Sequence, residues 1–131
     1  MMPTTRITTQ QCVSHTAPTL TVLVKKYTPY QDKVWSQVLL ELKLGRKETH
    51  WMWFVFPQLL GLGKSPMSIK FAIQNIAHAK AFWEHPILGT RLRTCFELVQ
   101  QSGKKPIEIF GHVDTMKYNS CKKLFKQFTN N

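Results

Sequence analysis

Most of the side chains in this sequence that could do chemistry lie in residues 45–65, which we call the signature segment. The segment, GRKETHWMWFVFPQLLGLGKS, combines cations, one histidine, two tryptophans and three glycines. Arg46 offers a planar fork of hydrogen-bond donors and Lys47 offers a point charge, so both suit a phosphate or a carboxylate. The same cations also suit the negative end of a helix that ends at Gly45, and their position leaves both interpretations open.

The middle of the signature segment places a histidine beside an aromatic run. Next to a reacting atom, His50 can act as a general acid or base. The alternative is a histidine hydrogen-bonded to the backbone at the edge of the core. Trp51 and Trp53 each have a large ring and an N–H that needs a partner. One of them is a candidate to stack on a ligand ring, while at least one packs inside the domain.

The end of the signature segment, LGLGKS, is similar to the end of the phosphate-binding pattern G-x-x-x-x-G-K-S. The first glycine of that pattern falls on Gln58, and no later apolar strand ends in a magnesium-binding aspartate. A nucleotide-triphosphatase loop is therefore disfavoured, although a glycine turn that exposes backbone N–H groups to an anion is a candidate. The histidine and cysteine spacings do not indicate a metal site.

The C-terminal part of the chain supplies a second group of candidates. With about 100° per residue along a helix, Lys117 falls on the apolar side, one turn after Asp114 and close to Ser120. These side chains point into a cleft, or else Lys117 is a lysine that reaches the surface and pairs with Asp114. Arg91 has a similar position on its own helix, where it is either a clamp between helices or a ligand anchor.

Composition limits the class of protein. The chain has 131 residues, 43% of them apolar, which is enough for the core of one domain. A formal charge of +11 favours anionic partners such as nucleotides, nucleic acid or acidic proteins. The three cysteines are widely spaced and indicate a reducing compartment. No apolar run is long enough to span a membrane. Residues 1–19 are polar, and we predict that they form a disordered tail and are not a secretory signal. We therefore expect a cytoplasmic protein without membrane contact.

The first predicted helix precedes the signature segment. Thr28, Pro29 and Gln31 fit a capping box at its start, and Gly45 is well placed to end it in a left-handed conformation. The preceding TLTVLV is either a short strand or the lead-in to this helix.

Three further helices are predicted after the signature segment. They run over about residues 75–84, over about residues 86–101, and from a cap at Asp114 to near the C-terminus. Gly89 lies inside the second of these helices and slightly lowers its intrinsic helix stability. We therefore predict an all-α, mostly helical fold, with one compact domain at residues 20–128 and a long irregular signature loop.

Six motifs in this order, GRK, HWMWFVFPQ, GLG-x-S, HP-x-LG-x-RL, IFG and D-x-x-K-x-x-S, resemble the family called domain of unknown function 1810 over about residues 27–125. The resemblance implies a small, mostly helical cytosolic protein without an assigned reaction. Trp35 replaces an expected tyrosine, and Lys64 and Cys121 are particular to this chain. The positions that match the family's motifs are Gln31, Gly45, Arg46, Lys47, His50, Trp51, Trp53, Pro57, Gln58, Gly61, Gly63, Ser65, Pro86, Leu88, Arg91, Gly111, Asp114, Lys117 and Ser120.

Polar residues from both ends of the domain recur in these motifs, and a fold that joins them forms a cationic, aromatic-walled pocket. We predict an enzyme or sensor for a phosphorylated nucleotide-like ligand, with ADP-ribose suggested only by analogy to helical ADP-ribose-processing domains. If it is an enzyme, it is a hydrolase or glycosidase that needs no cofactor or metal. The catalytic candidates are His50 and Asp114, and the ligand-binding candidates are Arg46, Lys47, Trp51, Trp53, Gln58, Ser65, Lys117 and Ser120.

Two other functions remain open from the sequence. The first is a basic nucleic-acid-binding module that uses the lysines outside the motifs, namely Lys104, Lys105, Lys122, Lys123 and Lys126. The second is an adaptor whose signature loop binds another protein. The sequence leaves the oligomeric state open.

Overall fold

Six helices account for the architecture of residues 19–129, the part of the chain that the computed structural model describes. They are α1 (Leu20–Leu44), α2 (Met52–Val55), α3 (Pro66–Lys70), α4 (Ile76–Glu84), α5 (Leu88–Gln101) and α6 (Pro106–Lys126). The β structure in this range is one isolated parallel bridge between Leu59 and Ile73. The predicted all-α fold is confirmed, whereas the predicted tail lies outside the described residues apart from Thr19. Within residues 19–129, no helix combines the length and the apolar character that crossing a bilayer requires.

Helix α1 begins earlier than its capping pattern predicts. Its N-cap is Thr19, whose hydroxyl accepts a hydrogen bond from a first-turn N–H at 3.2 Å. The predicted cap at Thr28 is therefore wrong, and Pro29 lies inside the helix. The turns before Pro29 bury Leu23 and Tyr27 completely, at 0% exposure. Proline removes one backbone hydrogen bond from the helix. The burial of Leu23 and Tyr27 outweighs that cost and stabilises the longer helix.

The end of α1 is as predicted from Gly45. This glycine has φ 70° and ψ 31°, and its N–H bonds to the carbonyls of Glu41 and Leu42. The left-handed conformation is one that glycine adopts without steric cost. Lys104 adds a hydrogen bond at this end of the helix, because its Nζ donates to the Gly45 carbonyl at 3.2 Å.

Helices α4 and α5 agree with the sequence prediction to within a few residues, and a buried histidine separates them. Asn75 caps α4 by accepting a hydrogen bond from the N–H of His78 at 2.8 Å. Helix α5 begins at Leu88, two residues later than predicted. Nδ1 of His85 accepts the N–H groups of Ile87 at 3.1 Å and of Leu88 at 3.2 Å. His85 thus performs the capping that serine or aspartate performs at most helix starts.

Helix α6 begins at Pro106, eight residues before the predicted cap at Asp114, and that prediction is wrong. The reason is a kink at Gly111, which has φ 80° and ψ 176° within an otherwise helical run. This backbone region is accessible essentially only to glycine. Because the kink interrupts the helical period, the sequence pattern predicts a separate short segment before it.

Aromatic packing joins the helices. Phe56, which follows α2, contacts Phe96 of α5 at 5.6 Å and Tyr118 of α6 at 5.2 Å between ring centroids. Cys95 and Cys121 are buried free thiols in the same core, and burial raises the pKa of Cys121. The short helices α2 and α3 were not predicted, because a single turn carries too few residues to show a helical period.

A buried tyrosine–histidine pair is expected to make stability sensitive to acid. His78 is buried, its Nδ1 accepts the N–H of Gln74 at 3.0 Å, and its Nε2 lies 3.4 Å from the Tyr27 hydroxyl. Burial, and then the charge of Lys26, lowers the pKa of His78 from 6.5 to about 4. The unfolded chain therefore binds a proton first, and stability is lost as the pH falls from 6.5 towards 4. The loss is on the order of 2–3 kcal/mol.

Urea unfolding measured across this pH range checks the prediction. His78→Gln keeps an acceptor and cannot titrate, so it should flatten the pH dependence. His112→Gln, which changes an exposed histidine on α6, should leave the pH dependence as in the wild type. Equal pH profiles for wild type and His78→Gln would contradict the assignment.

Candidate functional site

Two lysines and one aspartate from distant parts of the sequence meet in the structure, and we call them the Lys–Asp–Lys group. Nζ of Lys47 lies 2.8 Å from Oδ2 of Asp114, and Nζ of Lys117 lies 3.5 Å from Oδ1 of the same carboxylate. The side chain of Lys47 is 6% exposed, and those of Asp114 and Lys117 are each 21% exposed. Two cations share one anion, so the group keeps a single net positive charge in a partly desolvated place.

Two backbone features bring this group together. The N–H of Lys47 donates to the carbonyl of Ile109 at 2.8 Å, which fixes the start of the signature segment against the first part of α6. The kink at Gly111 then redirects α6, and Asp114 and Lys117 follow it one turn apart. The loop after α1 and the kink in α6 thus bring Lys47, from early in the chain, to Asp114 and Lys117, from late in the chain.

Each lysine also lies over a tryptophan ring. Nζ of Lys47 is 5.1 Å from the ring centroid of Trp51, and Nζ of Lys117 is 5.2 Å from that of Trp53. Trp51 is fully buried at 0% exposure, whereas Trp53 is half-buried. The hypothesis that Trp51 stacks on a ligand is therefore wrong, because no part of its ring is accessible. Trp53 is the ring of the pair that a ligand can reach.

Glu41 organises the signature segment, and sequence analysis did not single it out. Its Oε1 accepts the backbone N–H of Glu48 at 2.7 Å, that of Thr49 at 3.1 Å, and Nε1–H of Trp51 at 3.0 Å. Its Oε2 accepts the Thr49 hydroxyl at 2.6 Å and the amide of Gln37 at 2.8 Å. The carboxylate thus holds the residues that follow Lys47 in one conformation.

The environment of Glu41 favours its charged form. Burial acts to raise the pKa of this carboxyl, but the hydrogen bonds from Thr49, from two backbone N–H groups and from Gln37 outweigh it and lower the pKa to about 2. The signal that could have found Glu41 is its position among Val34, Val38 and Leu42, since an acid inside an apolar helical stripe needs partners.

The other predicted site residues do not join the Lys–Asp–Lys group directly. Arg46 has a side chain that is 76% exposed, and it pairs with Glu48 at 3.4 Å. His50 is exposed, and Ser65 is the N-cap of α3, where its hydroxyl accepts the N–H of Ser68 at 3.1 Å. Among residues 19–129, no hydrogen bond, ion pair or ring contact connects the group to Arg46, His50, Gln58, Ser65 or Ser120.

Arg91 has the contacts of a clamp between helices. It donates to Oε1 of Gln31 at 3.1 Å and to Oδ1 of Asp32 at 2.7 Å, and it lies 5.0 Å from the ring centroid of Trp35. Gln31 in turn donates to the carbonyl of Phe54 at 2.8 Å. Arg91 thus ties α5 to α1 and, through Gln31, to α2.

The fold and the site define a small helical domain with a cationic group beside two tryptophans. The chain belongs to the family described as Protein of unknown function (DUF1810), whose model matches residues 21–131, and the resemblance found in the motifs is confirmed. The structure is similar to the crystal structure of the conserved hypothetical protein Rv1873 from Mycobacterium tuberculosis. The two have a TM-score of 0.78 and 44% sequence identity, over 81% of this chain and 76% of that chain. A search of curated proteins found no match.

Proposed function

We propose that this protein binds a small phosphorylated, nucleotide-like ligand at the Lys–Asp–Lys group, as an enzyme or as a sensor. The observation that carries the proposal is the sharing of one carboxylate by two lysines, each beside a tryptophan ring. Each ammonium has three N–H donors, so both keep donors after pairing with Asp114. The remaining positive charge attracts an anion, and partial burial strengthens that attraction.

The two lysines are suited to different tasks. Lys47 makes the shorter contact with Asp114, at 2.8 Å, and its side chain is 6% exposed, so it anchors the carboxylate. Lys117 makes the longer contact, at 3.5 Å, and is more exposed, so it is the cation that a ligand phosphate can engage. Because Lys117 also lies against Trp53, a phosphate at Lys117 places the rest of the ligand next to an accessible ring. This arrangement favours a nucleotide over inorganic phosphate.

If the ligand is a substrate, Asp114 and His50 are the acid–base candidates. Asp114 lies within the group itself, and His50 is exposed one position before Trp51. Arg46 is exposed near the same end of the signature segment, where it can reach an outer phosphate. By the analogy to ADP-ribose-processing domains, ADP-ribose and related nucleotides are the first compounds to test, and hydrolysis of a glycosidic bond is the first reaction.

Calorimetric titration with ADP-ribose, ADP, a sugar phosphate and inorganic phosphate tests binding. We expect a nucleotide to bind more tightly than phosphate, and Lys117→Gln to weaken that binding about tenfold or more, because a charge-assisted hydrogen bond is lost. Lys80→Gln removes the same charge from an exposed site on α4 and should have little effect. Equal binding by the two variants, or no binding by the wild type, would refute the proposal and leave the group as a structural ion pair.

Asp114→Asn separates binding from catalysis. Removing the carboxylate frees both lysines, so anion affinity should rise by severalfold while stability falls, because Lys47 loses a partner in a place that is hardly exposed. If Asp114 is the acid–base group, turnover of the same ligand is lost although binding improves. A variant with tighter binding and unchanged turnover would exclude Asp114 from the chemistry and favour His50.

A further inference from the structure

Two clefts lie side by side between α5 and α6. The wider cleft has a volume of about 680 Å³, and its lining includes Phe96, Asn119, Lys122, Lys123, Lys126 and Thr129. The second cleft has a volume of about 450 Å³, and its lining includes Phe96, Gln100, Lys104, Tyr118 and Lys122. Phe96 and Lys122 line both clefts, so the two are direct neighbours, and we call them together the α5–α6 groove. None of Lys47, Asp114 and Lys117 lines it.

The charge of the α5–α6 groove has one sign. Four lysines line it, three of them close together on one exposed side of α6 and the fourth, Lys104, in the loop before α6. Among the described residues that line the two clefts, none is an aspartate or a glutamate. Three neighbouring lysines and a fourth farther along match several phosphates of one chain better than a single compact anion.

An aromatic ring lies at the point where the two clefts meet. Phe96 is half-buried, and its ring is supported by Phe56 at 5.6 Å and by Tyr118 at 5.9 Å between centroids. These neighbours hold the ring in place, so the part of the Phe96 side chain that stays exposed has a fixed position. A supported aromatic ring between cationic clefts is the combination with which proteins stack the bases of a single strand.

Other occupants of the groove match it less well. Residues 1–18 of this chain contain no acid and include Arg6, so they do not complement four lysines. A second copy of the chain carries the same +11 charge and is repelled. The volume of each cleft lies in the range of roughly 300–1,000 Å³ that is typical of small-ligand sites, and two adjoining clefts suit two successive units of a polymer.

We infer that the α5–α6 groove binds single-stranded nucleic acid, with Lys122, Lys123 and Lys126 on the phosphates and a base stacked on Phe96. The α5–α6 groove is separate from the Lys–Asp–Lys group, and it binds a polymer where the group binds a small ligand. Binding depends on salt, because each lysine that neutralises a phosphate releases a counterion. Little sequence preference is expected, because any base can stack on the ring.

Fluorescence anisotropy with labelled single-stranded RNA and DNA of about ten nucleotides tests the inference at several salt concentrations. The triple variant Lys122→Gln/Lys123→Gln/Lys126→Gln should weaken binding about tenfold or more at moderate salt, and should reduce the slope of log affinity against log salt by about 2. The triple variant Lys25→Gln/Lys33→Gln/Lys80→Gln has the same net charge, with exposed lysines changed on α1 and α4. It should keep the wild-type slope. Equal losses in both triple variants would overturn the assignment to the groove.

Phe96→Leu tests the stacking platform, because it keeps an apolar side chain and removes the ring. We expect single strands to bind about fivefold or more weakly to this variant. A duplex of the same length and polyglutamate are the comparison probes, and each should bind more weakly than the single strands. If either binds as tightly as a single strand and Phe96→Leu changes nothing, the groove is a general or peptide-binding cationic surface and the inference is wrong. Lys117→Gln should leave oligonucleotide binding unchanged, which separates this test from that of the proposed function.

Discussion

Replacing Gly89 with alanine is expected to lower the free energy of unfolding by about 3 kcal/mol. A Cβ atom at this position would lie 1.9 Å from the carbonyl oxygen of Trp83 and 2.8 Å from its carbonyl carbon. These are backbone atoms of α4, so no side-chain rotation can relieve the overlap. The close approach of α4 and α5 therefore depends on the missing side chain of Gly89.

Helix propensity alone predicts the opposite sign for this substitution. Glycine inside a helix costs about 1 kcal/mol relative to alanine, so Gly89→Ala would stabilise an isolated α5. The packing against Trp83 reverses that expectation. Overpacking at a backbone contact forces the two helices apart and disturbs the hydrogen bond from Nη1 of Arg93 to the Trp83 carbonyl, which is 3.1 Å long.

Urea or thermal unfolding of Gly89→Ala beside Gly103→Ala separates the clash from the general effect of a glycine substitution. Gly103 has φ 71°, and a Cβ there meets no atom within 4 Å. Replacing Gly103 with alanine should lower the free energy of unfolding by about 1–2 kcal/mol, because alanine is held in the left-handed conformation there. A Gly89→Ala variant as stable as the wild type would show that α4 and α5 do not approach this closely.

Glu41→Gln is expected to destabilise the protein by about 2–3 kcal/mol at neutral pH. Glu41 is 3% exposed and accepts five hydrogen bonds, from Gln37, Glu48, Thr49 and Trp51. Glutamine keeps one acceptor oxygen, but it presents an NH₂ group where the second carboxylate oxygen accepts two of these bonds. The variant also removes the negative charge that the surrounding donors stabilise.

The pH dependence of this loss follows from the depressed pKa of Glu41. The carboxyl titrates at 4.5 in its ordinary state and at about 2 in the folded protein. Its contribution to stability is fully present above pH 4.5 and disappears as the pH falls towards 2. The stability difference between wild type and Glu41→Gln should therefore shrink over this interval, which overlaps the interval of His78 only near pH 4.

Unfolding curves at several pH values for wild type and Glu41→Gln measure this difference. Glu97→Gln changes an exposed glutamate of α5 and should alter stability by less than about 0.5 kcal/mol. A stability difference that stays constant from neutral pH to pH 2 would contradict the role of the ionised carboxylate. Loss of the Lys117-dependent ligand binding in Glu41→Gln would further show that Glu41 positions the signature segment for the proposed site.

Local sequence patterns predicted much of the helical architecture. The end of α1 at Gly45, the whole of α4 and most of α5 followed from capping residues and apolar spacing. The start of α1 and the start of α6 did not. In α1 the burial of Leu23 and Tyr27 keeps the helix going through Pro29, which the sequence pattern places at its start. In α6 the kink at Gly111 interrupts the helical pattern, so the sequence shows two segments where the structure has one helix.

The motifs also indicated the candidate site residues, and they combine residues from early and late in the chain. The contacts among those residues did not follow from the motifs. Lys47, Asp114 and Lys117 form one group, Trp51 is buried, and Arg91 ties helices together. Each of these outcomes depends on atoms that are far apart in the chain.

The sequence by itself determined the all-α class, the family and the basic charge, and it singled out the candidate residues, because these depend on composition, local periodicity and motif spacing. The tertiary structure alone decided that Glu41 holds the signature segment, that Gly89 admits a neighbouring backbone, and that Phe96 lies among lysines. Burial, pairing and close approach arise when distant elements pack together, and a one-dimensional pattern does not record which elements become neighbours.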